Sequence, residues 1–355
     1  MLQYLIYILS AAQIVTCNLY FYPQDISVEI GGVVHFDVTF SDDGVNELVQ
    51  FFPQQKNITE ILSSNVTISK GESKTVNVKG INPGHVIIVG NLSGRPDVHV
   101  DDAVVCVTVG KSHNWILVSD IMGWIYFAAW SISFYPQIYE NWQRKSVVGL
   151  NFDFLALNFI GFLLYSAFNI GLYAVEPIKR SYHRRHPHSI NPVMMNDIVF
   201  SVHALLAVIA TLIQCYLYEK ENQKVSKFAK TLFVIYAVFL GANLVLSSTG
   251  VLEPIDFLYY CSYVKLSITF IKYIPQAYMN YQRKSTIGWS IGNIFLDFVG
   301  GTLSMAQMLV NSYNYNDWES IFGDVTKFGL GLFSVLFDVF FIFQHYVFYR
   351  HSSSS

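Results

Sequence analysis

Charge is what this chain has least of. Only 13% of its 355 residues are Lys, Arg, Asp or Glu, about half the share in a soluble domain, and 52% are hydrophobic. That balance, kept up over so long a chain, reads as several membrane spans. The net charge of -3 leaves no basic surface for a nucleic acid. Cysteine is scarce too. The four, at positions 17, 106, 215 and 261, are spaced like neither a disulfide framework nor a metal site. Cys17 falls in a leader, and Cys215 and Cys261 fall in apolar runs. Cys106 is left as a buried small residue of a strand. No nucleophile–base constellation, metal-ligand cluster or phosphate loop is visible. The chain therefore does not read as an enzyme, and no metal or cofactor is expected.

What is present divides into regions. Residues 1–17 read as a signal peptide: Leu2 to Val15 are mostly apolar, and Val15 and Cys17 are small enough for cleavage before Asn18. No Lys or Arg precedes Phe21, so an additional membrane helix is the alternative. Residues 18–112 read as a β-sandwich. Val34, Phe36, Val38 and Phe40 alternate with His35, Asp37 and Thr39, and further runs end in Val76 and Val78, in Val86 to Val89 and in Val104 to Val109. Sequons begin at Asn57, Asn65 and Asn91 and at no position after 112, which predicts a glycosylated domain facing the secretory lumen.

Residues 113–350 alternate apolar runs with short polar breaks. Seven transmembrane helices are predicted, at roughly 115–139, 154–174, 197–218, 229–248, 255–278, 287–310 and 327–349, with a short cytosolic tail at 351–355. With residues 18–112 lumenal, the cytosolic side receives Arg144, Lys145, Lys220, Lys224, Lys227, Arg283, Lys284 and Arg350. The lumenal side receives Lys179, Arg180, Arg184 and Arg185, all in one loop. That loop also holds His183, His186 and His188, which gain charge in an acidic lumen. It is read either as a solvated basic loop without a role or as a sensor.

The strongest signal is a self-match. Pro136-Gln-Ile-Tyr-Glu-Asn-Trp-Gln-Arg-Lys-Ser-Val-Val-Gly149 aligns without gaps to Pro275-Gln-Ala-Tyr-Met-Asn-Tyr-Gln-Arg-Lys-Ser-Thr-Ile-Gly288, with nine of fourteen positions identical at an offset of 139. The helices thus read as two three-helix repeats of the same topology joined by a linking helix. Pro136 and Pro275 each remove a backbone donor and clash with the carbonyl four residues back, which makes them candidate hinges. Gln137 and Gln276 are placed to bond freed backbone or a solute. A kink that only eases packing is the alternative.

The same offset pairs Asn158 with Asp297 inside spans, and Asn293 lies four residues before Asp297 on the same helix face. Carboxylates at membrane depth are costly and therefore functional suspects. Asp338 lies inside the last span, and Lys327 opens it as a possible partner for an Asp. Asp197 begins the third span, where Asn196-Asp197 are read either as functional or as a cap. Lys265 and Lys272 share a face of the fifth span, and Lys272 either lines the path or snorkels.

These motifs resemble the lysosomal cystine–proton symporters of the PQ-loop family. The likeness runs from about Gly123 to Tyr349. It includes Ala129-Trp-Ser-Ile-Ser-Phe-Tyr-Pro-Gln137, Asn191-Pro192, Asn196-Asp197, Lys272-Tyr-Ile-Pro-Gln-Ala-Tyr-Met-Asn280, Gly288-Trp-Ser-Ile-Gly-Asn293, Asp297-Phe-Val-Gly-Gly301 and Phe322-Gly-Asp-Val-Thr-Lys-Phe-Gly-Leu-Gly331. The resemblance implies proton coupling at Asp197 and Asp297 and cystine binding at Asn158, Asn280, Asn293 and Asp297. By resemblance alone it also implies lysosomal signalling complexes as partners. The family's Gly-Tyr-Asp sorting tail is absent from Arg350-His-Ser-Ser-Ser-Ser355. The expected function is export of L-cystine with protons from an acidic lysosomal lumen by alternating access. Gln137, Gln276 and Lys272 would meet its polar ends, and Tyr273, Phe134 and Trp130 its apolar middle. Asp338 and Lys327 would join Asp197 and Asp297 in coupling. The rival readings are a carrier of another lysosomal amino acid or sugar, a seven-helix receptor and a peptide-sorting receptor.

Overall fold

The computed structural model describes residues 19–40, 47–69, 71–93, 104–148, 150–187, 189–284 and 291–348. The proposed leader, Gly149, His188, Gly288 and the tail at 351–355 lie outside the described residues, as do the side chains of Pro275, Gln276 and Asn280. The chain forms two compact units. One gathers the N-terminal 119 residues with His183–Ile190 and Leu309–Ser320; the other holds the remainder.

Among the described residues, the first unit is built on nine strands in two sheets. β1 (Leu19–Tyr22), β3 (Val33–Phe40), β7 (Ser73–Gly80) and β5 (Thr59–Ile61) form one sheet in that order. The other runs β2 (Asp25–Glu29), β9 (Val104–Gly110), β8 (Gly84–Leu92), β4 (Glu47–Pro53) and β6 (Asn65–Ile68). Period-two alternation makes the sandwich. Phe36, Val38, Val76 and Val78 from the first sheet meet Val49, Val86, Ile88, Val105 and Val107 from the second in one core. Phe21, Phe36 and Phe51 pack there with ring centroids 5.5–5.9 Å apart. Asn57, Asn65 and Asn91 are exposed.

One sequence expectation is corrected in the segment that leads into this unit at His183. The basic segment expected as a loop is largely helical. α4 (Glu176–Arg185) forms there because Pro177 suits a first helical turn and Glu176 pairs with Lys179 and Arg180 at 3.7 and 3.4 Å. His183 at its end is buried rather than solvated. A group of possible metal-ligating side chains also forms in this unit. His85, Cys106 and His183 come together with their ligating atoms within 4.8 Å of one another. Strand pairing and tertiary packing assemble this group, so no sequence spacing announced it.

The second unit is helical. Its elements are α1 (His113–Ile132, entering from the first unit), α2 (Tyr135–Arg144), α3 (Phe152–Ala174), α4 up to Tyr182, α5 (Met195–Leu217), α6 (Lys227–Ser248), α7 (Pro254–Arg283), α8 (Ile291–Tyr315, whose end from Leu309 belongs to the first unit), the short α9 (Ser320–Gly323) and α10 (Val325–Phe343). Among the described residues, six helical segments are long and apolar enough to cross a membrane, α1 with α2 counting as one. α7, the remaining expected span, has 30 residues and ample length, but Asp256, Lys265, Lys272 and Arg283 make it more polar. The chain is therefore a helical polytopic membrane protein with an N-terminal β-sandwich.

The two repeats stop their helices alike: Lys145 and Lys284, at matched positions after α2 and α7, both adopt left-handed backbone with φ of 51° and 50°. They differ at proline. α1 ends at Ile132, and Pro136 sits in the first turn of α2, so the helix is broken at Ser133–Phe134. α7 continues as helix through Pro275. α3 packs against both α5 and α7, and α10 packs against α7.

Candidate functional site

Two carboxylates anchor the helical unit, Asp197 fully buried and Asp297 half-buried. Asp197 lies in the first turn of α5, and its Oδ2 accepts the Met194 backbone N–H at 2.8 Å. The capping reading is therefore correct, but it is only part of the role. Lys327, in the first turn of α10, places Nζ 2.8 Å from Asp197 Oδ1, and both side chains are almost fully buried. Tyr126 of α1 donates its hydroxyl to Asp197 as well. Asn196 donates to the Tyr126 oxygen at 2.6 Å, and Gln307 of α8 accepts from Lys327 at 2.8 Å. The backbone N–H of Lys327 is held by Asp324 at 2.8 Å. Four helices and one ion pair thus share one bonded network, the arrangement a buried charge requires.

Asp297 of α8 is held differently. Trp130 of α1 donates its indole N–H to Oδ1 at 2.7 Å, Ser334 of α10 donates to Oδ1 at 3.1 Å, and Tyr273 of α7 donates to Oδ2 at 2.9 Å. A carboxylate has about four acceptor sites, so one remains for a proton or a solute donor. Gly300 makes the approach possible: a Cβ there would lie 2.5 Å from the Trp130 ring. Tyr126 and Trp130 are one turn apart on α1, with centroids 5.2 Å apart, so this helix contacts both carboxylates. Asp338 is buried on α10, its Oδ2 has no hydrogen-bond partner, and it interacts electrostatically with Asp297 and Lys272.

A third polar centre is incomplete. Asn158 on α3 is 4% exposed and Thr269 on α7 is 1% exposed, yet neither Asn158 Oδ1 nor Thr269 Oγ1 has a hydrogen-bond partner. Lys265, 1% exposed, rests its Nζ 3.7 Å from the Phe162 ring centroid, with no carboxylate in ion-pair range among the described residues. The repeat explains the pattern. The 139-residue offset sets Asn158 against Asp297, Phe134 against Tyr273, Thr269 against Trp130 and Gly161 against Gly300. Phe134 packs on Phe162, one turn along α3 from Asn158, but lacks the hydroxyl that Tyr273 gives Asp297. Thr269 is far shorter than Trp130. The first repeat therefore keeps the polar position, loses the hydroxyl donor and meets a short hydroxyl where the second has an indole.

Comparison with known proteins agrees with this internal symmetry. The PQ loop repeat matches residues 118–178 and 257–317, copies related by the same offset of 139. Cystinosin of Drosophila melanogaster is 58% identical over 283 residues, covering 80% of this chain and 71% of that protein. Cystinosin of Bos taurus is 42% identical over 322 residues, covering 90% and 83%. This chain belongs to the cystinosin family. The cystine transporter of Saccharomyces cerevisiae is a more distant relative, 28% identical over 66% of this chain and 95% of its own.

Within this member of the cystinosin family the expected residues fall into distinct settings. Asp197 pairs with Lys327, while Asp297, Trp130 and Tyr273 share one cluster. Trp130 and Tyr273 use their polar edges there, beyond the apolar packing expected of them. Lys272 is half-buried, with Nζ 4.9 Å from the Tyr273 ring and 5.6 Å from that of Phe154. Asn293 is half-buried on α8. Gln137, expected to bond freed backbone or a solute, donates to Asn141 one turn on at 2.8 Å. Asn141 in turn donates to Gln214 of α5, and it is Gln214 that reaches the α2 backbone, at the Ile138 carbonyl. Sequence reading missed Tyr126, Thr269, Gln307, Ser334 and Asp324. The repeat offset gave a signal for Thr269, and its match to Lys265 one for Tyr126; Asp324 lay inside a motif already quoted.

Proposed function

We propose that this chain carries L-cystine across the lysosomal membrane, from an acidic lumen to the cytosol, in symport with protons. The names of its relatives support cystine as the solute. The carrying observation is that Asn158 Oδ1 and Thr269 Oγ1 are buried without partners, at positions the repeat matches to Asp297 and its donor Trp130. A buried carbonyl and hydroxyl oxygen left unbonded cost free energy that an incoming donor recovers. Cystine brings two ammonium groups. One donates to Asn158 and Thr269, and the other takes the open acceptor site of Asp297. Lys265 and Lys272 face its carboxylates, and Phe134 and Phe162 cover the disulfide. Gln276, Asn280 and Asn293 complete the set on the second repeat.

Proton coupling belongs to Asp297, with Asp338 beside it, and to the Asp197–Lys327 pair. A pH difference of about two units supplies roughly 2.7 kcal/mol per proton, enough to drive export without ATP. The break at Ser133–Phe134 and the continuous helix through Pro275 are the two hinge settings that alternating access exchanges. The exposed sequons at Asn57, Asn65 and Asn91 carry glycans in the lumen.

The test is uptake of labelled cystine by cells bearing the chain at their surface, at external pH 5.5 and 7.5. Uptake should be faster at pH 5.5 and resist excess lysine or arginine, each of which lacks the second carboxylate. Competition by lysine as effective as that by cystine would make the chain a cationic amino-acid carrier.

A further inference from the structure

The sandwich unit contains a donor cluster that solute transport does not use. β8 and β9 pair antiparallel, with Ile87 opposite Cys106 and His85 opposite Thr108. Because side chains alternate, Val86, Ile88, Val105 and Val107 enter the core, while His85, Ile87, Cys106 and Thr108 share the outer face. An outer face normally meets solvent. Here His85 is 2% exposed and Cys106 7%, covered by the segment that begins at His183, itself 7% exposed. The His183 ring stacks on that of His85 with centroids 4.9 Å apart and planes at 13°.

Two imidazoles and a thiol are the donor set of a borderline-soft divalent ion, and their ligating atoms already lie within 4.8 Å of one another. Donors around tetrahedral zinc, with bonds of about 2.0–2.3 Å, stand roughly 3.5 Å apart, so closure asks for small side-chain rotations. One ring is also held in place from behind. Thr108 Oγ1 lies 3.0 Å from His85 Nδ1, which fixes the ring and assigns Nε2 to the ion. We propose that His85, Cys106 and His183 bind one ion of the Zn2+ class, with water as the fourth ligand. Cys106 binds as thiolate, its proton leaving to solvent, and protons compete with the ion for all three donors. The site joins the end of α4 to the outer face of the sandwich.

The experiment uses the purified full chain, stripped with a chelator and titrated with Co2+ at pH 7.5. One equivalent should produce near-ultraviolet thiolate-to-cobalt charge transfer and tetrahedral visible bands, both removed by Zn2+. Cys106→Ser should abolish the charge-transfer band. Thr108→Val, which leaves every ligand in place, should weaken binding about tenfold or more. Bound ion should fall away as pH drops to 5.5. The proposal is overturned if the wild-type chain shows no thiolate band at one equivalent. It is equally overturned if the band survives Cys106→Ser and disappears with Cys215→Ser or Cys261→Ser. Neither readout involves cystine uptake.

Discussion

Tyr273 and Phe134 occupy matched positions of the two repeats and differ by one hydroxyl. In the second repeat that hydroxyl donates to Asp297 at 2.9 Å; in the first, Asn158 Oδ1 is buried without a partner. Duplicated halves have thus diverged into one nearly filled polar centre and one open one. Near-symmetric halves with unequal chemistry suit a solute with two like ends when only one half has to titrate.

Phe134→Tyr should therefore weaken solute binding. The new hydroxyl would occupy Asn158 Oδ1 and remove the vacancy that a solute ammonium would use. A hydrogen bond to a charged group contributes about 1.5–3 kcal/mol, so the apparent KM for cystine should rise roughly ten- to a hundredfold with surface expression unchanged. Thr269→Val should raise KM in the same direction. Wild-type KM in both variants would show that this centre is not where the solute binds.

Lys327 and Asp197 make a different kind of pair, buried on both sides. Lys327→Met strands a buried carboxylate with Tyr126 as its side-chain donor and should destabilise the chain by about 3–5 kcal/mol. Lys327→Met with Asp197→Asn removes both charges and should recover most of that loss, read as thermal unfolding in detergent. A double variant as unstable as the single one would mean that Lys327 is held for its hydrogen bond to Gln307 rather than for its charge.

Much of this was legible in the sequence because periodicity and duplication are local signals. Val34 to Phe40 announced β3, and the Pro-Gln repeat announced both the copies and the Asn158–Asp297 pairing. The partners were less legible. Tyr126, Gln307 and Ser334 are single polar residues in apolar runs, and only helix packing shows which carboxylate or cation each one meets. The proline motif misled in one respect. Identical residues at Pro136 and Pro275 suggested equal kinks, yet the chain breaks before one and stays helical through the other. His85, Cys106 and His183 are far apart in sequence, brought together by a strand register and by the packing of the end of α4, which composition does not encode.

Gly300 provides the space that lets Trp130 reach Asp297. Gly300→Ala would set a methyl 2.5 Å from the indole, and overpacking of this kind costs about 1–3 kcal/mol. Uptake should drop sharply. Trp130→Phe in the same chain should restore thermal stability by relieving the clash, but not uptake, because the donor to Asp297 is still missing. Recovery of both would show that the Trp130–Asp297 bond is structural only.

Asp297→Asn separates fold from coupling. An amide keeps one oxygen, which can face Trp130, whose indole N–H only donates. The opposite NH2 would face Tyr273, whose hydroxyl can turn to accept, while Ser334 goes on donating to the oxygen that Trp130 also bonds. The cluster therefore remains bonded, and stability should stay within about 1 kcal/mol of wild type. What the variant loses is the ability to gain and release a proton. Uptake driven by external pH 5.5 should fall to background, and the ratio of rates at pH 5.5 and 7.5 should approach one. Exchange of labelled for unlabelled cystine across vesicles at equal pH requires no net proton movement, so it should persist at a measurable rate. Uptake in Asp297→Asn that kept the wild-type pH dependence would remove Asp297 from the coupling path and leave Asp197 and Asp338 to carry it.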